Sequence, residues 1–275
     1  MRDKITVIGK LLLLSVVNPG FIVAVVATSS EEYRLSLLMA FLMTLLQSIV
    51  LYVLVIMHNG QSRMGLLWKA TLVFYGTTFL QANIEAVLFL KYMQNTMNNA
   101  QIIEMFIAGI VSALVVGPVS VFLFRKEKEK LGLTTVFPLK TNIKRGLALS
   151  FIYMMIYIAF GALVFQPLAG EHFQTYYGEL QIPPWLFPFQ ILRGALWTCL
   201  AWGTMSIIAG QRSKVIWTIT ATLAIPITSL LLPFNEIMPA PIRAAHLVEL
   251  FTSMVAFGLI SGWMLTRPLK PDFKT

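Results

Sequence analysis

Eight apolar stretches, each about the length that carries a helix across a bilayer, follow one another with only short polar segments between them. A helix rises about 1.5 Å per residue and needs about 20 apolar residues to cross the hydrocarbon core. The stretches run over about 5–28, 35–57, 66–90 and 102–125, then about 146–167, 185–209, 215–232 and 244–265. Solid apolar runs predict helices; barrel strands would alternate over segments of about ten residues. The expected fold is all-α: a polytopic integral membrane helical bundle of about eight transmembrane helices, forming a single transmembrane domain over 1–275.

Composition supports lipid as the solvent. The chain is 57% hydrophobic and 12% charged, with a mean hydropathy of +0.76. Soluble domains carry about 25% charged residues. The net charge of +9 does not point to nucleic acid, because its residues sit between apolar stretches rather than on a soluble face. The one cysteine, Cys199, lies inside an apolar segment, so it offers neither an internal disulfide nor a cysteine-based metal motif.

The basic residues set the orientation. The N-terminus, the second, fourth and sixth loops and the C-terminus together hold 17 Lys and Arg, whereas the alternate loops hold Arg34, Lys91 and Arg243. The positive-inside rule then places both termini in the cytoplasm. An alternative for the first span is a signal peptide, with Arg2, Lys4 and Lys10 ahead of an apolar run and Val25-Val26-Ala27 as the cleavage site. The fourth loop, 125–145, is basic and divides the spans four and four, and it reads as a positive-inside anchor against lipid headgroups. No internal repeat is evident by eye. Short loops and no large soluble domain point to a prokaryotic plasma (inner) membrane.

Ionisable groups inside spans are costly and mark paired or wet sites. Lys10 and Lys69 lie near cytoplasmic ends and can snorkel. Glu85, Arg193, His246 and Glu249 cannot, and the proposed orientation puts all four at one depth in the outer half. Polar stripes accompany them at helical spacing: Thr78, Gln81 and Glu85; Gln190, Arg193 and Trp197; His246, Glu249 and Ser253. With Arg243 they form the expected ligand-binding set: Gln81, Glu85, Gln190, Arg193, Arg243, His246, Glu249 and Ser253.

Three readings follow. The first is a site that binds or transports a small polar molecule, ion or lipid headgroup, with Arg193 on an anionic group and the carboxylates on a cation or proton. The second is an intramembrane hydrolase or transferase with His246, Glu249 and Glu85 as catalytic candidates; the same three are the weak metal candidates. The third is a buried network that only fastens the bundle. No motif indicates a cofactor: G-x-x-x-x-G-K-[ST], H-E-x-x-H, G-x-S-x-G and C-x-x-C-H are all missing. His58 and His172 lie away from this layer. The expected partners are membrane lipids and a small polar ligand or ion, with no nucleic acid.

Overall fold

The computed structural model describes residues 2–19, 21, 33–89, 99–127, 139–178, 183–234 and 238–267. Both chain ends, the proposed cleavage site and most of the basic loop after Glu127 lie outside them. Within them the chain is all-helical, without a strand. In chain order the elements are α1 (Arg2–Val17), α2 (Tyr33–Ile56), α3 (Arg63–Tyr75), α4 (Gln81–Phe89), α5 (Asn99–Phe124), α6 (Leu139–Phe160), α7 (Gln166–Ala169), α8 (Glu171–Tyr177), α9 (Leu186–Ile207), α10 (Arg212–Ser229) and α11 (Ala240–Thr266). A π-helical turn, Gly76–Leu80, joins α3 to α4, and another, Gly161–Phe165, joins α6 to α7.

Four helical segments are long and apolar enough to cross a membrane: Leu35–Ile56, Asn99–Phe124, Thr141–Ala169 and Ala240–Thr266. The other four predicted stretches fall on α1, α3–α4, α9 and α10. Of these, α1, α3 and α4 are shorter helices, and the last three stretches carry polar residues that turn inward. Thr71, Thr77, Thr78, Gln81 and Asn83 are buried on α3–α4, as are Thr218, Thr220, Thr222, Thr228 and Ser229 on α10. Meanwhile Ile8, Leu13, Leu38, Ile107, Phe122, Leu163, Leu192 and Trp217 stand exposed. Polar groups inside and large apolar groups outside invert the soluble pattern and suit an apolar solvent.

The helices form two units of four that pack alike. In the first, α1 lies on α2 and α3 on α5; in the second, α6 lies on α9 and α10 on α11. Between the units α2 meets α10, and α9 meets α3 in return. The turns after α2 and α9 cross antiparallel and reciprocally: Asn59 N donates to Ile207 O and Ala209 N to Met57 O, each at 2.9 Å. Such an exchange is the local signature of a twofold rotation.

Side chains repeat the correspondence. Gly60-Gln61 and Gly210-Gln211 open the two crossing turns, both glycines with positive φ. Trp68 and Trp217 are both exposed on the helices that follow. A Cβ on Gly117 would strike Thr71, and one on Gly258 would strike Thr220; Ser120 and Ser261 follow at the same spacing. Leu14-Ser15 and Leu149-Ser150 are buried in the first helix of each unit. The two units therefore share a packing pattern and several small residues at their helix crossings, where backbones must approach closely; the outward faces need only be apolar.

Candidate functional site

The polar layer is assembled across the two units. Gln81 and Glu85 come from the first, just past the π-turn. Gln190 and Arg193 on α9, and His246 and Glu249 on α11, come from the second. α9 can press close to α6 because Gly194 has no side chain: a Cβ there would lie 2.7 Å from Ser150 O and 2.8 Å from Ser150 Cα. That approach places Arg193 beside the ring of Tyr153, 5.8 Å from guanidinium carbon to centroid, with Phe189 at 6.0 Å.

Arg193 is 1% exposed. Its Nη2 donates to Glu85 Oε2 at 2.8 Å and to Gln81 O at 3.5 Å. Nε donates to Gln81 Oε1 and Nη1 to Gln190 Oε1, both at 3.3 Å. A guanidinium has five N–H donors, so most are engaged within the protein. The glutamine NH2 groups find no protein acceptor among the described residues. An unmet buried donor costs about 1–3 kcal/mol, and the arrangement accepts that cost to aim both amide oxygens at Arg193.

On α11, His246 Nδ1 lies 3.0 Å from Glu249 Oε2. The Phe165 ring covers the imidazole edge-on at 5.6 Å, and Phe165 in turn packs on Tyr177 of α8. Burial, with Tyr176 adding to it, pushes the Tyr177 hydroxyl well above its ordinary value, so it stays protonated and neutral beside this layer.

Glu85, Arg193, His246, Glu249 and Ser253 line one cleft with Tyr153 and Tyr157. Its volume is about 10 Å³ by the positions a water centre can occupy, and a single water needs about 10–15 Å³. Gln81 and Gln190 stand behind Arg193 rather than in the cleft.

Arg243 is not brought in. Its guanidinium donates to Met238 O at 3.5 Å and lies over Phe234, 5.5 Å away. Helical side chains lean toward the N-terminus, so an arginine in the first turn of α11 reaches past the helix start. Among the described residues no three of His, Cys, Asp or Glu are grouped to hold a metal ion; Glu85 faces Arg193, while His246 and Glu249 face each other. His58 is buried at the crossing turns, where it accepts from Gly60 N at Nδ1 and approaches Lys126 O at 2.9 Å from Nε2, a structural pairing.

Tyr153 and Tyr157 were not among the predicted residues. With Ser150 they repeat the same stripe spacing along the sequence, and that signal could have found them. A second polar cluster, in which Asn18 donates to Gln47 and Gln47 to Ser229, each at 3.0 Å, is satisfied internally.

No model of a known protein family matches this chain, and neither curated proteins nor solved structures give a match.

Proposed function

We propose that this chain is a multi-pass protein of about eight spans in a prokaryotic plasma membrane, with both termini cytoplasmic. In this reading the cleft between its two units binds or transports a small polar molecule, ion or lipid headgroup. The observation that carries the reading is the contrast between the two units. Counting back from Gly60 and Gly210, Arg193 corresponds to Met43. Counting back from Gly117 and Gly258, His246 corresponds to Met105 and Glu249 to Ala108. The position of Glu85 has no helical counterpart, because α10 ends at Ser229. At these three positions the second unit carries ionisable groups where the first carries Met43, Met105 and Ala108, while the first unit supplies Glu85 alone. Packing alone does not demand charges there, and ionisable groups in an apolar medium are retained for function. Ser253, by contrast, corresponds to buried Ser112, so its hydroxyl belongs to the shared scaffold.

The His246–Glu249 contact resembles a base held by an orienting carboxylate. A cleft of one water's size favours the smallest of the proposed ligands, an ion, and leaves catalysis on a larger substrate as the second reading.

The test is thermal stability of the purified protein against a panel of ions, metals, lipids and small metabolites, alongside Glu85→Gln. A bound ligand raises apparent stability by mass action. One class should stabilise the wild type and not the variant. No stabilisation by any class, together with a melting temperature whose pH dependence is the same in wild type and variant, would make the charged layer a fastening.

A further inference from the structure

We propose that the species this cleft takes up is a proton, received by the His246–Glu249 pair; the inference rests on the binding-site reading above and narrows it to one ligand. Charge, saturation and size all point the same way.

Arg193 is poorly placed to hold an incoming anion. Its donors are engaged by Gln81, Gln190 and Glu85, and an anion would have to break a buried ion pair, leaving one charge uncompensated. The guanidinium thus serves as a fixed charge that holds one oxygen of Glu85. Glu249 then carries the remaining charge. With His246 neutral, the set of Glu85, Arg193, His246 and Glu249 bears one net negative charge; one proton on the imidazole makes it neutral. An uncompensated charge in an apolar medium is expensive, so the layer is poised to take up one positive charge.

The cleft's single-water volume and the lack of a three-residue metal grouping among the described residues leave the proton as the fitting carrier. A hydrated metal ion needs more oxygen ligands than these residues supply. The groups facing His246 from the surrounding helices are consistent with this. α4 presents Glu85, α9 presents Arg193, and α6 presents the phenols Tyr153 and Tyr157. Phe165 covers the imidazole from the π-turn before α7. On α11 itself Glu249 is the partner, and Arg243 is turned away to Met238.

Proton transfer here needs no co-reactant: the proton bonds to an imidazole nitrogen, and the Glu249 carboxylate accepts the N–H hydrogen bond. The experiment is histidine-selective nitrogen NMR on the full chain in lipid nanodiscs, titrated between pH 5 and 9, in sodium and again in choline buffer. His246→Gln assigns its signal among the three histidines. The expected result is an imidazole that passes from neutral to doubly protonated within that range, identically in both buffers, and stays neutral throughout in Glu249→Gln. A His246 locked in one charge state overturns the proposal. So does a titration that sodium displaces, which would make the species a metal cation. Neither outcome touches the broader reading, which the ligand panel decides independently.

Discussion

Arg193 and Glu85 stand 108 residues apart in the chain and meet at 2.8 Å, one from each four-helix unit. Side-chain exposures of 1% and 19% make this a pair largely removed from solvent. Its Coulomb attraction offsets a desolvation penalty of several kcal/mol per ion, and the balance fails when one partner is removed. The pair therefore spans the two units at the level of the cleft.

Glu85→Gln is expected to lower unfolding stability by about 3–5 kcal/mol, because it leaves Arg193 buried and unpaired. Arg193→Met combined with Glu85→Gln should recover most of that loss. Denaturant unfolding in mild detergent gives the comparison. A double variant as unstable as the sum of its singles would show that the two residues do not act as a pair.

Gly258→Ala should be harmful where Gly161→Ala is not. The added methyl at Gly258 would lie 2.7 Å from Thr220 Cα, a backbone atom that cannot step aside, whereas nothing lies within 4 Å at Gly161. Overpacking of this kind costs about 1–3 kcal/mol. Melting temperatures of the two variants measured side by side decide the matter, and equal values would contradict the close α10–α11 crossing.

Cys199 is the only cysteine and is exposed on α9. If that face meets lipid, a charged water-borne maleimide should label it slowly in intact membranes and rapidly after denaturation, since a charged reagent is excluded from an apolar medium. Rapid labelling of the folded protein in membranes would place this face in water.

A reporter fused after Thr275 is expected to read as cytoplasmic, following the bias of 17 basic residues against 3. An extracytoplasmic signal would invert the assigned depth of the cleft.

The helical class and the residues of the charged layer were legible in the sequence because each rests on a strong local signal. Long apolar runs admit few folds, and charges within such runs are rare enough to notice. The pairing was less legible. Glu85, not Glu249, is the partner of Arg193, and that choice depends on the π-turn at Gly76–Leu80 and on the close α9–α6 approach at Gly194. Arg243 lies apart from the cleft; sequence spacing gives the face of a helix but not the reach of a long side chain at its first turn. The shared packing pattern escaped notice because it survives in contacts such as Gly117 on Thr71 and Gly258 on Thr220, which become visible only once the helices are packed.

The most direct test of the central claim, that the charges serve a ligand rather than the packing, replaces them with the protein's own apolar solution. A variant carrying Arg193→Met, His246→Met and Glu249→Ala, with Glu85→Leu, Gln81→Leu and Gln190→Ala to remove the carboxylate and amides left without Arg193, gives the second unit apolar groups like those of the first. Its melting temperature is the measurement. The account predicts a monodisperse protein that melts within a few degrees of wild type, a change of about 1 kcal/mol or less. A variant that fails to assemble, or melts far below wild type, would show that the charges hold the bundle together and would contradict the account.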